Sequence, residues 1–216
     1  MSDFNFDSLT RSQIEAAVWA PTKADPRGDF DLNPDARAAL PKNRRLRPAA
    51  VLCAIVERER ALHVVLTKRA EHLKKHPGQI AFPGGKVDAT DSSPMATALR
   101  EAEEEIGLPR ELVDVAGAID NYETGTGFQV TPFVGFLERP FQPITDDGEV
   151  AEVFEVPLGF LMDPRNHERR SRDWRGARRW FWAIPYGERY IWGATAGMLR
   201  NLAERLHSAH DLVAAE

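Results

Sequence analysis

The 216-residue sequence contains a single cysteine, Cys53, so no intrachain disulfide can form. It lies in an apolar run and reads as a buried strand residue rather than a nucleophile. The first residues, Met1-Ser2-Asp3-Phe4, are acidic and lack a signal-peptide core. The longest apolar run, Ala49 to Val56, is too short to span a bilayer. A cytoplasmic, reducing location with no membrane partner is the expectation. There is no internal repeat, no low-complexity tract, no helix-turn-helix pattern and no basic tail. The net charge of −5 also argues against a nucleic-acid partner. The six histidines show no metal-ligand spacing; His72 and His76 lie four apart in a segment ending in Pro-Gly, with no third histidine or cysteine nearby. No Ser-His-Asp arrangement is apparent. What remains is ordinary globular composition, 43% apolar and 28% charged, with length for one substantial core.

Against that background one stretch stands out, Gly84 to Leu108. A glycine pair opens a loop. Ser93-Pro94 reads as a helix start, with serine at the N-cap and proline at the first helical position. Gly107 supplies the left-handed stop and Pro109 blocks continuation. Leu99, Ala102 and Ile106 fall at i, i+3 and i+7 as a packing stripe. Glu101, Glu104 and Glu105 fall at i, i+3 and i+4, three carboxylates that repel one another on a bare helix. Such a run is either a solvated face or a set of oxygen ligands for a hard divalent cation shared with phosphate.

Periodicity and turn residues suggest the surrounding elements. A short helix is expected over Thr10–Ala20, with Ile14, Ala17 and Val18 on one face. From Pro21 to Pro48 the composition reads as an arm or loop with one turn at 34–40, and Arg44, Arg45 and Arg47 form a basic cluster. Ala49–Val56 and Leu62–Thr67 read as a hairpin joined by a charged turn. Strands are expected at 112–119, 128–137, 152–156 and 180–184, with a short helix over 158–162. Arg165–Arg179 reads as an exposed basic hairpin or loop. An amphipathic helix follows from 195 to about His207, with Ala196, Leu199, Leu202 and Leu206 inward.

The run Arg100-Glu101-Ala102, Glu104-Glu105 and Gly107-Leu108 resembles the second half of the Nudix box, Gly-x5-Glu-x7-Arg-Glu-U-x-Glu-Glu-x-Gly-U. The first half departs from it: Asp91 stands where the box has Glu, and the span from Gly85 to Arg100 is one residue longer. Upstream, Val65-Leu66-Thr67-Lys68-Arg69-Ala70, Lys74, Gly78 and Phe82-Pro83-Gly84-Gly85 are similar to the motif of the coenzyme A pyrophosphatase branch, with Lys74 in place of an Arg. The resemblance runs from about Ala49 to Leu206.

It implies an α/β Nudix fold, a mixed β-sheet sandwiched between helices. The domain would span 49–208, after an N-terminal extension over 1–48 and before a tail over 209–216. It implies an enzyme that hydrolyses the diphosphate of coenzyme A or its derivatives to 3′,5′-ADP and (acyl-)4′-phosphopantetheine. Mg²⁺ or Mn²⁺ would be held by Glu101, Glu104 and Glu105, with Arg100 orienting a glutamate and the Gly84-Gly85 backbone close to metal or phosphate. Glu149 is favoured over Glu123 as extra ligand or general base, beside the plainer reading of a surface carboxylate. Arg69 and Lys74 are the candidate contacts to the substrate's 3′-phosphate, with Lys68 and Lys75 behind them, beside the plainer reading of solvated loop charges. The partner is a small diphosphate, and the sequence is compatible with a homodimer. The alternatives are a Nudix hydrolase for ADP-ribose or a dinucleotide, and a non-catalytic nucleotide sensor.

Overall fold

The computed structural model describes residues 5–20, 27–41, 43–174 and 176–214. In chain order these form α1 (Arg11–Trp19), β1 (Arg27–Gly28), α2 (Pro34–Ala38), β2 (Arg47–Arg58), β3 (Ala61–Arg69), β4 (Ile80–Ala81) and β5 (Gly84–Lys86). Then come α3 (Pro94–Ile106), β6 (Val113–Ala118), β7 (Tyr122–Glu123), β8 (Phe128–Leu137), β9 (Val150–Pro157) and α4 (Leu158–Met162). The last elements are β10 (Glu168–Trp174), β11 (Ala177–Tyr186), β12 (Arg189–Trp192) and α5 (Ala194–Ala214).

Strand β2 is buried on both faces, so its side chains divide by the two-residue period of a strand. Ala50, Leu52, Ala54 and Val56 pack with Ala98, Ala102 and Ile106 of α3. Ala49, Cys53 and Ile55 join the larger core with residues of α1, α4 and α5. Burial pushes the Cys53 thiol up to about 12, which keeps it protonated. This is the helix–sheet–helix layering expected from the sequence. The sheet is mixed: β2 runs parallel to β8 and antiparallel to β3 and β5.

The β2–β3 hairpin turns on Glu59 and Arg60, both at positive φ (46° and 70°), as a two-residue hairpin requires. Beyond the turn the two strands part. β3 pairs with β2 through Ala61–Val64 and then with β4 at Thr67 and Lys68, while β2 pairs with β5 over Ala49–Val51. The chain from Ile80 to Lys86 fills the gap, which brings Gly84-Gly85 to the open end of the sheet beside α3.

Several expectations are corrected. The helix expected over 10–20 forms, and the described residues of 21–48, expected as an extended arm or loop, are docked on the domain. Thr10 caps α1 in a capping box with Gln13, and Ile14, Ala17 and Val18 are buried. Arg205 of α5 donates to the carbonyls of Ala17 (2.9 Å), Val18 (2.6 Å) and Ala20 (2.8 Å) and pairs with Asp120 (3.0 Å). β1 adds to β7, and the Asn33 side chain donates to the carbonyl of Trp180 and accepts from its N–H. Helix α5 does not end near 207 or 208 but continues to Ala214. On α3 the apolar stripe runs through the buried Ala98, Ala102 and Ile106, and Leu99 lies on the flank. The basic stretch before 180 is the expected hairpin, β10–β11, and what the sequence did not indicate is that it forms a second, three-stranded sheet with β12. Among the described residues, no helix is long and apolar enough to cross a membrane.

Candidate active site

Helix α3 supplies the carboxylates and β5 approaches them. Ser93 caps the helix by accepting from the Ala96 N–H, Pro94 occupies its first turn, and Gly107 closes it at φ 65°. Glu101 and Glu105, one turn apart, face β5. A Cβ placed on Gly85 would sit 2.5 Å from the Glu101 carboxyl carbon. The Gly84 N–H donates to Glu105 Oε2 at 3.2 Å. Gly84 is itself at φ 153°, and a side chain there would meet Ala50 O at 2.5 Å and Val51 Cα at 2.6 Å. Gly84 is therefore required by close approach of backbone, whereas a side chain at Gly85 would displace the Glu101 carboxylate.

Glu105 is only 6% exposed. Burial pushes its carboxyl up to about 7, opposed by the Gly84 N–H and reinforced by the charges of Glu101 and Glu149; Arg69 opposes the rise. Glu101 is also raised, first by burial and then by Glu104 and Glu149, against the Arg100 guanidinium. Glu149 thus lies within electrostatic reach of both. Its placement follows from the sheet: its carbonyl accepts from Ala70 N at 2.9 Å, at the end of β3 that carries Arg69.

Glu104 is arranged differently. Its side chain is 59% exposed and accepts from Arg100 Nη1 at 2.8 Å. The i+3 step from Glu101 turns it toward solvent. Arg100 is the hub of this side of the helix. It bonds Glu101 Oε1 at 2.9 Å and Glu104 Oε2 at 2.8 Å, and it grips Asp91 through Nε (2.9 Å) and Nη2 (3.0 Å). Asp91 also accepts from the Thr97 hydroxyl (2.8 Å) and the Asp88 N–H (2.9 Å). The Arg100 pairing holds its carboxyl well below the usual carboxylate range. Asp91 therefore anchors the arginine that steadies two glutamates, a role that sequence reasoning missed. Its signal was its position, six residues after Gly85.

The remaining candidates separate by location. Arg69 is half-buried and close enough to Glu105 to lower its proton affinity. Lys74 and Lys75 are exposed in the turn between β3 and β4, and Lys68 is paired with Glu71 at 3.0 Å. Glu123 is tied to Arg37 and Arg44 and stands only 13% exposed, so it is not placed to serve as a free base. The basic cluster at 44–47 is largely structural: Arg44 holds Glu123, and Arg47 donates to Thr126 O at 3.0 Å and covers the Phe128 ring at 3.9 Å.

The family model described as NUDIX domain matches residues 46–185. The chain is 45% identical over 162 residues to "Uncharacterized Nudix hydrolase NudL" of Enterobacter sp. (strain 638), covering 73% of this chain and 81% of that one. This chain belongs to the Nudix family. The NudL protein of Escherichia coli (strain K12) is 43% identical over 157 residues, with coverage of 73% and 81%. A MutT/nudix family protein from Enterococcus faecalis, 15% identical, superposes with a TM-score of 0.51 over 93% of this chain and 75% of its own, a likeness of fold. The chain is thus a Nudix hydrolase, an enzyme class acting on diphosphate linkages.

Nudix hydrolases generally use divalent metal ions, and the donor set here fits one. Among the described residues no three His, Cys, Asp or Glu side chains close into a ready-made cage. Mg²⁺ does not require one, because it keeps several waters and shares its shell with substrate phosphates. The carboxylates of Glu101 and Glu105 are hard oxygen donors. Their raised proton affinity reflects burial and mutual repulsion that a cation would relieve. The missing side chain at Gly85 keeps the space beside Glu101 open.

Proposed function

We propose that this Nudix hydrolase cleaves the diphosphate of coenzyme A or its derivatives, yielding 3′,5′-ADP and (acyl-)4′-phosphopantetheine, with Mg²⁺ or Mn²⁺ as cofactor. The observation that carries the chemistry is the electrostatic coupling of Glu101, Glu105 and Glu149 beside Gly84-Gly85. A bound divalent ion would neutralise the diphosphate and lower the pKa of an attacking water. Glu101 and Glu105 would hold it, with Glu104 at the outer edge of the set. Glu149, exposed and within electrostatic reach of both, would take the proton of the attacking water onto a carboxylate oxygen as the P–O–P bridge opens. Asp91 and Arg100 would keep the glutamates in place, and the Gly84 N–H would orient Glu105.

The substrate assignment rests on the run from Val65 to Gly85. Arg69 contributes positive charge next to Glu105, where a diphosphate oxygen would lie. Lys74, exposed in the adjoining turn, would meet the 3′-phosphate. A second reading, a diphosphatase for ADP-ribose or a dinucleotide, is favoured by Lys74 itself, because lysine lacks the fork of the arginine it replaces.

The deciding experiment is hydrolysis of coenzyme A, an acyl-coenzyme A, ADP-ribose, NADH and a dinucleoside polyphosphate with Mg²⁺ and with Mn²⁺, resolved by chromatography. Release of 3′,5′-ADP from the coenzyme A species alone supports the proposal. Cleavage of ADP-ribose or NADH instead moves the reading to the second substrate class.

A further inference from the structure

Residues 168–179 carry six arginines against two acids, in a chain whose net charge is −5. The two acids are already engaged: Glu168 pairs with Arg170 at 2.7 Å and Asp173 with Arg178 at 3.7 Å. The β10–β11–β12 register puts Arg172, Trp174 and Arg179 on one face with Phe181, Trp192 and Tyr190. The opposite face carries Trp182, Ile184 and Ile191, which pack into the core with α5. The first face is open at Arg172, Trp174 and Tyr190, half-buried at Arg179, Phe181 and Trp192, and closed at Ala183. Trp174 is 51% exposed and Tyr190 43%.

This face is preordered. The Arg172 guanidinium lies 5.2 Å from the Trp174 ring and 5.8 Å from Trp192, and Phe181 meets Trp192 edge-on at 5.3 Å. On the other side of the hairpin Arg169 covers Trp180 at 4.3 Å. Stacking fixes each guanidinium plane while leaving its N–H edge for an anion. Arginine on an edge strand also discourages pairing with another sheet, but that role needs no aromatic companions.

We propose that the first face of the β10–β12 sheet docks single-stranded nucleic acid, with arginines on phosphates and bases against the exposed aromatic rings. Open antiparallel sheets bearing aromatic and arginine side chains suit this ligand, because every base offers a π-face and the backbone offers repeating phosphates. The acidic net charge does not oppose it: the Debye length is about 8 Å at physiological salt, so charges on the far side of the molecule are screened. A bilayer fits less well, since the carboxylate of Asp173, 80% exposed, stands next to Trp174 near the hairpin tip.

The test uses the full chain and a fluorescent 12-nucleotide oligo(U), with anisotropy read between 50 and 200 mM salt. We expect binding that weakens with salt, and a loss of about tenfold or more in affinity when Arg172→Glu and Arg179→Glu are combined. Arg172→Lys with Arg179→Lys should keep most of the affinity. Diphosphate hydrolysis should be unchanged in both variants. Absence of binding at 50 mM salt, or equal binding by the charge-reversed protein, overturns the proposal. So does binding only to phosphatidylserine vesicles, displacement of the oligonucleotide by 3′,5′-ADP, or a self-association that the reversal abolishes.

Discussion

Glu105→Gln should make the metal-free protein more stable and nearly inactive. Below pH 4.5 the folded and unfolded chains both keep the Glu105 proton, so the carboxyl contributes its full stability there. Above 4.5 the unfolded chain ionises while the buried group holds its proton until about 7. The folded state then binds more protons, and stability falls as pH rises across this window before levelling off above it. A rise from 4.5 to about 7 corresponds to a loss of about 3 kcal/mol at full ionisation. Glutamine mimics the protonated acid and can still accept from the Gly84 N–H. Thermal unfolding in a chelator should therefore show little difference between the two proteins at pH 4.5. At pH 8 the variant should melt higher by about 6–12 °C, given 2–4 °C per kcal/mol at this size. Mg²⁺ should narrow the gap by stabilising only the wild type. Equal melting at pH 8, or a difference already complete at pH 4.5, would refute the burial argument. Turnover retained with normal Mg²⁺ dependence would remove Glu105 from the metal set.

Gly85→Ala should push the Glu101 carboxylate aside and lower turnover about 100-fold with little change in melting temperature, since misplacement by about an ångström is enough; unchanged kcat would mean that Glu101 is not needed where it stands. Asp91→Ala should weaken activity or the apparent Mg²⁺ affinity about 10- to 100-fold while the helix signal persists in circular dichroism. Full activity would show that Arg100 holds its glutamates unaided. Lys74→Ala should raise KM for coenzyme A more than for dephospho-coenzyme A, and equal effects would remove Lys74 from 3′-phosphate recognition. Arg205→Met leaves three helix-end carbonyls and the half-buried Asp120 without their donor, and should cost about 3–5 kcal/mol with activity retained at low temperature. A melting shift of only a degree or two would show that water replaces the clamp.

Local chemistry was the legible part of this fold. The cap, the Pro94 start and the Gly107 stop of α3 depend on neighbouring residues, and the helix runs over the expected span. The β2–β3 hairpin and α4 were legible for the same reason. The hairpin at 168–186 was harder to delimit, because β10 is polar on both faces up to Trp174 and shows no alternation until β11 is paired with it. The docking of the described residues before 49 was also hidden. Arg205 lies 185 residues from the carbonyl of Ala20, and no local pattern announces that contact.

The site divides along the same line. Spacing brought Glu101, Glu104 and Glu105 together on the helix, but i+3 and i+4 neighbours diverge by enough that only two of them face β5 while Glu104 reaches outward to Arg100. Identity alone also left the arginines undivided. Arg44 and Arg47 are consumed by Glu123, Thr126 and Phe128, whereas Arg69 lies near enough to Glu105 to lower its proton affinity. The difference comes from which strand end each occupies. The parting of β2 and β3 opens a gap for Gly84-Gly85, and β9 returns Glu149 to that same end. Burial and neighbouring carboxylates raise the proton affinity of Glu101 and Glu105 there, a repulsion that a divalent cation would relieve.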